Sequence, residues 1–195
     1  MAPYPLMPND YEPPGSLTGS DRLLYAIGMF FVRFAYLEVA LTHTLAIMLT
    51  ARSFGGSGGP WGDSWVETQL PEASPKAKGI EVAIEARFPD SNALPKELND
   101  ALAEIKSATK STYRLIDLRN HLAHGIFNYA LEVSPQGMIE HEDRFAAAKH
   151  ARYELKWQVR EVPPEELIGA CKEMDEIGGR LLIAGARIYV EGREY

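Results

Sequence analysis

Residues 21–50, DRLLYAIGMFFVRFAYLEVALTHTLAIMLT, decide the fold class. Phe30, Phe34, Leu37, Leu41 and Met48 recur at steps of three or four residues, with one step of seven. At about 100° per residue these side chains fall on one face. The spacing predicts one long helix, capped by Ser20 or Asp21 and running to about Thr50. The segment is apolar enough to raise the question of a membrane span. Arg33, Glu38 and His43 interrupt it, and a spanning helix rarely carries three such residues. It therefore reads as a core helix of a protein that does not enter a membrane. Glu38 lies just beside the apolar face and is expected to be partly buried.

Outward from this helix, residues 1–20 are rich in proline and glycine and read as a flexible tail. They lack the basic start and apolar core of a signal peptide. Ser53–Gly62 reads as a flexible glycine-rich loop, with Trp61 and Trp65 pinning its end to the core. No lysine follows these glycines at the Walker spacing, so they do not form a phosphate-binding loop. A short helix is expected over Lys76–Phe88, ended by Pro89 and a turn at Asp90-Ser91-Asn92. A long helix is expected from near Pro95, through Leu98, Leu102, Ile105, Leu115, Leu118 and Leu122, to a stop at Gly125.

Beyond Gly125 the period changes. Phe127, Tyr129, Leu131 and Val133 alternate with less apolar neighbours, as do Tyr153, Leu155, Trp157 and Val159. Period two favours strands, and Ser134-Pro135-Gln136-Gly137 is a turn signal. Residues 143–151 fit neither pattern clearly. A closing helix opens at Pro163-Pro164-Glu165-Glu166, with Leu167, Cys171, Met174, Ile177, Leu181 and Ile188 on its apolar face. Gly178-Gly179 should weaken it in the middle. The expected architecture is mainly α: a helical bundle in a single domain over 21–195, with a small β-hairpin insertion at about 126–160.

The chain has 195 residues, of which 46% are hydrophobic and 24% charged. That suits one globular domain with a sizeable core. A formal net charge of −7 argues against non-specific coating of nucleic acid. The lone cysteine, Cys171, excludes an internal disulfide and a cysteine-rich zinc site, and a reducing cytoplasm fits it.

Arg119-Asn120-x-x-x-His124 carries the chemistry. RNA cleavage without a metal needs a base for the ribose 2′-hydroxyl and a cation for the charge that builds on phosphorus. Histidine suits the first task because it titrates near neutrality. Arginine suits the second because its planar fork matches phosphate oxygens. Asparagine can bind a phosphate oxygen or steady the imidazole. On a helix Asn120 and His124 lie about 40° apart and share a face, with Asp117 and Tyr113 near the same stripe. Arg119 lies about 140° from His124, so a regular helix does not bring the pair together. A second copy across a two-fold axis would complete the site. Lys106, Lys110, Arg114 and Arg119 oppose Asp117 alone, so the helix carries a local basic strip suited to a phosphate backbone.

An R-N-x-x-x-H sequence closing a long helix before a glycine resembles the signature of HEPN-domain proteins. The opening helix, with an acid near its middle in Phe34-Ala35-Tyr36-Leu37-Glu38, and the closing helix Pro163–Ile188 are also similar. The resemblance extends over about 21–190. It implies a four- or five-helix up-and-down bundle. It also implies a metal-independent, homodimeric endoribonuclease that leaves a cyclic phosphate, often a toxin or phage-defence effector held by an antitoxin or another regulatory protein. Arg119 and His124 then correspond to the family's catalytic pair, Asn120 to its polar helper and Glu38 to the acid of its first helix. The acidity, the glycine-rich loop and the β-insertion depart from a typical toxin.

Blander readings stand beside these. His121 and His124 are three apart and no H-E-x-x-H is present, so neither a metal nor another cofactor is expected. His43 reads as a hydrogen-bonded core or interface residue, and His141 and His150 as surface groups. Cys171 reads as a buried hydrophobe. Glu38 either pairs with Arg33 or another cation, or orients the arginine or histidine of the site. Two function classes stay open: an RNA-cleaving enzyme, and a non-catalytic HEPN module that dimerises or binds a ligand or protein.

Overall fold

The computed structural model describes residues 11, 13–50, 60–89, 94–124, 126–134, 137–150 and 157–191, with backbone alone at 50, 60–62, 64–65, 124, 126–161 and 191. Most of the N-terminal tail, the loop at 53–59, the turn at 90–92, Gly125, Pro135-Gln136, Tyr153 and Leu155 lie outside the described residues, as do the side chains of Trp61 and Trp65. The protein is mainly helical. Among the described residues the helices are α1 (Gly19–Thr50), α2 (Pro60–Gln69), α3 (Ala73–Arg87), α4 (Lys96–His124) and α5 (Pro164–Glu191). Three extended segments lie between α4 and α5: β1 (Ile126–Ser134), β2 (Gly137–His150) and β3 (Trp157–Val162).

The chain divides into two compact units. One comprises Arg33–Arg119 with Glu173–Tyr195 and is a helical bundle. Phe34, Leu37, Leu41, Leu45 and Met48 of α1 are all at most 3% exposed, so the periodic face read from the sequence is core. Burying a side chain of this size is worth about 1.5–3 kcal/mol relative to leaving it in water. Ile80 and Ile84 of α3, Leu98, Ile105 and Leu115 of α4, and Ile177, Leu181 and Ile188 of α5 complete that core.

Polar contacts set the register of these helices. Arg33 is buried and pairs with Asp175 Oδ2 of α5 at 2.9 Å. This replaces the Arg33–Glu38 pair considered from sequence, because positions five apart on a helix point about 140° away from each other. The Arg87 guanidinium donates to the carbonyls of Ile47 and Met48 at 3.2 and 3.4 Å, which satisfies part of the last turn of α1.

Two sequence expectations change. Residues 60–62, expected at the end of the glycine-rich loop, instead open α2; Pro60 stands in its first turn, where no amide hydrogen is needed, and Asp63 favours the same end. Gly178-Gly179 does not interrupt α5, which runs unbroken to Glu191. Gly178 packs on α1, where an added Cβ would meet the Ala40 methyl at 3.8 Å.

The second unit comprises Met1–Val32 with Asn120–Lys172. Gly19 opens α1 at φ 52°, a left-handed conformation that favours glycine. Arg22 pairs with Glu165 of the first turn of α5 at 3.0 Å. Leu23, Phe30, Leu122, Val162, Leu167 and Cys171 are buried. The strands form one antiparallel sheet in the order β1-β2-β3. Ile126 pairs with Ala148 and Ser134 with Gly137, with a register shift after Tyr129; Phe145 pairs with Val162 and His150 with Trp157. Residues 143–150, unassigned from sequence, thus lie in β2.

α1 is the one helix, among the described residues, long and apolar enough to cross a membrane by length and composition. Its side chains Phe34, Leu37, Leu41, Leu45 and Met48 are buried in the core just described.

The glycines separate packing from propensity. A Cβ on Gly179 would meet nothing within 4 Å, whereas one on Gly79 of α3 would come to 3.0 Å from Leu45 Cδ2. Gly179→Ala should therefore stabilise the fold by about 0.5–1 kcal/mol in thermal denaturation. Gly79→Ala, with the same gain in propensity, should give less or reverse sign. Equal gains from both would show that α1 and α3 do not approach this closely.

Candidate functional site

α4 carries the residues singled out from sequence, and it ends at His124, two residues before β1. Its last five residues belong to the unit that contains the sheet, and Arg119 to the helical bundle. Within the bundle, Arg119 is half-buried and its guanidinium carbon lies 5.9 Å from the centroid of the Phe34 ring on α1. A cation over an aromatic face is attracted by the ring quadrupole.

Glu38 of α1 is half-buried beside this arginine. Burial pushes its carboxyl above the ordinary carboxylate value. The charges of Lys76 and Arg119 oppose that rise, the Glu67 carboxylate adds to it, and the Ala73 amide favours the charged form by donating a hydrogen bond. The last contact has a local cause. Glu72 caps α3 without any side-chain bond, so the first amide of the helix is left for a carboxylate from α1.

Lys76 is 1% exposed. Its Nζ donates to Glu67 Oε1 at 2.9 Å. The Thr42 hydroxyl donates to the same oxygen at 2.6 Å and lies 2.9 Å from the Glu38 carbonyl. Burial raises the Glu67 carboxyl, but the bonds from Thr42 and Lys76 outweigh it and hold the group below its ordinary value. Glu38, Glu67, Lys76 and Arg119 thus form one charged cluster on α1, α2, α3 and α4.

Sequence reasoning named Glu38 and Arg119 but missed Lys76, Glu67 and Thr42. A signal was present. Ala73, Ala77, Ile80 and Ile84 form the buried stripe of α3, and Lys76 sits on it. A lysine inside an apolar stripe implies a buried counter-charge.

Tyr113 donates to Glu81 Oε1 of α3 at 3.1 Å, and Glu81 also accepts from Lys78 at 2.8 Å. Burial, then Glu81, raises the Tyr113 hydroxyl above its ordinary value. Arg114 is ion-paired with Glu173 of α5. Lys106, Lys110 and Asp117 are exposed. In the other unit, Asn120 is half-buried and His121 is 6% exposed. The His124 side chain and those of His141 and His150 lie outside the described residues. Among the described residues no group of three histidine, cysteine or acidic side chains could hold a metal ion.

The chain matches no family model, no curated protein and no solved structure.

What the cluster can do follows from its charges. Arg119 is a half-buried cation over an aromatic ring, in the field of the Glu38 carboxylate, and its planar fork suits a phosphate. Lys106 and Lys110 add positive charge further back on the same helix.

His43 has a separate role. Its Nδ1 is 3.3 Å from both Asp63 carboxylate oxygens and ties α2 to α1. The Asp63 bond raises the imidazole above its ordinary value, and burial only partly offsets this. A histidine with a raised folded-state value adds stability that is complete below its unfolded value and is lost as pH rises through the folded value. Wild-type protein should therefore lose stability relative to His43→Gln between about pH 6 and pH 8. Thermal denaturation across that range checks it; parallel curves for the two proteins would exclude a charged His43–Asp63 pair.

Proposed function

We propose that the protein is a metal-independent endoribonuclease of HEPN type, a helical bundle carrying 126–162 as a β-insertion. The observation that supports this most is Arg119-Asn120-x-x-x-His124 at the end of α4. His124 takes the proton of a ribose 2′-hydroxyl, and the oxygen attacks the adjacent phosphorus. Arg119 balances the charge on the phosphoryl oxygens, and Asn120 binds one of them or steadies the imidazole. The bond to the 5′-oxygen breaks, that oxygen leaves with a proton from an imidazolium, and a 2′,3′-cyclic phosphate remains. No metal or cofactor takes part. Lys106, Lys110 and Arg114 guide the RNA backbone, and Asp117, Tyr113 and Glu38 support the site.

The working form is a homodimer, because helical spacing keeps Arg119 and His124 of one copy about 140° apart. The protein acts in the cytoplasm as a toxin or defence effector, under an antitoxin or another regulatory protein.

One observation favours a non-catalytic HEPN module that dimerises or binds a ligand. Arg119 is half-buried and its charge faces Glu38, an arrangement that a purely structural arginine also adopts.

RNA incubated with the purified protein separates the two. Cleavage should persist in EDTA and leave cyclic phosphate ends. His124→Ala and Arg119→Ala should each lower it by about a hundredfold or more. Both variants should keep the helical circular dichroism and lose at most about 1 kcal/mol of stability. Wild-type cleavage by either variant, or none by the wild type, would leave the binding module as the better account.

A further inference from the structure

Lys76 is a charged group that the proposed chemistry does not use. It sits on the apolar stripe of α3, beside Ala73 and Ala77, and is 1% exposed. A core that needs only volume there takes an apolar side chain, since a buried ion pair is often no more stable than its apolar equivalent. The counter-charge does not come from the core either. It comes from Glu67, whose side chain is 52% exposed, on the ten-residue helix α2.

Two donors meet on one oxygen. Lys76 Nζ donates to Glu67 Oε1 at 2.9 Å, and the Thr42 hydroxyl donates to the same atom at 2.6 Å. Thr42 is 3% exposed, and its hydroxyl lies 2.9 Å from the Glu38 carbonyl on α1. Both donors therefore belong to the core of the bundle, and the acceptor belongs to a surface helix. An ammonium carries three N–H donors, and this oxygen takes one of them. The arrangement is a buried cation and a hydroxyl holding an oxyanion that is supplied from outside the core. α2 itself is lightly held. Ten residues are too few for a helix to be stable alone. Val66 is buried, while Glu67, Thr68 and Gln69 are exposed. A second polar tie is His43 Nδ1, 3.3 Å from both Asp63 carboxylate oxygens.

We propose that Lys76 and Thr42 form a binding site for a small carboxylate ligand, and that Glu67 occupies it as an internal substitute. The ligand enters by displacing Glu67, which loosens α2 from α1 and α3. Charge selects the class. One ammonium is balanced by one negative charge, as Glu67 balances it here. Glu38 stands one turn before Thr42 on the same face of α1, and a dianionic phosphate would bring a second charge next to that carboxylate. The site does not depend on the ribonuclease reading.

Acetate is the probe, read by its binding and by amide hydrogen exchange at residues 63–69. Glu67→Gln removes the internal charge but keeps its volume. It should bind acetate about tenfold or more tightly than the wild type, whose site is open only in the fraction of molecules that have released Glu67. In the wild type, acetate should speed exchange in α2, and sodium chloride at the same ionic strength should not. In the Glu67→Gln background, Lys76→Met should abolish acetate binding and Thr42→Val should weaken it about tenfold. If Lys76→Met does not fold, Thr42→Val decides, because valine keeps the shape of the side chain.

A purely structural ion pair predicts something else. Glu67→Gln then binds acetate no better than the wild type, and acetate and chloride affect α2 alike; that result would overturn the proposal. Acetate binding that survives Lys76→Met or Thr42→Val unchanged lies elsewhere on the protein and would also overturn it. Tighter binding of inorganic phosphate than of acetate would overturn the assignment to a carboxylate.

Discussion

Charge on a buried helix is the constraint on which the bundle depends. α1 supplies the apolar core face, yet it carries Arg33 and Glu38 into the same interior. Each must be answered where it stands, because an unpaired charge away from water costs several kcal/mol. Asp175 of α5 answers Arg33. Lys76 and the first amide of α3, with Arg119 of α4, answer Glu38. Three helices are thereby fixed along α1 at defined registers, which apolar contact alone would specify weakly.

The same constraint links fold to chemistry. Arg119 stands in the field of Glu38 near the end of α4, on the helix that closes with Asn120 and His124. The −7 net charge lies elsewhere on the chain, since α4 between Lys106 and His124 carries one acid, Asp117. Association with RNA would therefore be local and sensitive to salt.

Much of the helical architecture is legible in the sequence, for a physical reason. α1, α4 and α5 are long, and a 3.6-residue period accumulates over many turns, so Phe30 to Met48 and Leu98 to Leu122 mark their buried faces without tertiary information. α2 is ten residues long beside a glycine-rich stretch, and a short helix held by His43–Asp63 and Thr42–Glu67 leaves little periodic trace. Gly178-Gly179 reads as a weak point of the closing helix, yet α5 passes through it unbroken, because packing overrides local propensity. The motif residues of the site are legible because they are contiguous on one helix. The cluster behind Arg119 is not, because Glu38, Glu67 and Lys76 come from three helices and only folding brings their charges into one field.

A ribonuclease of the proposed kind engages an RNA phosphate through Arg119. The most direct measurement is the Arg119 Nε–H resonance during titration with a 2′-O-methyl RNA, which binds without being cleaved. The account requires a saturable change at Arg119 that weakens as salt is raised. An Arg119 resonance unmoved by saturating RNA would contradict it and leave the arginine as a structural partner of Glu38.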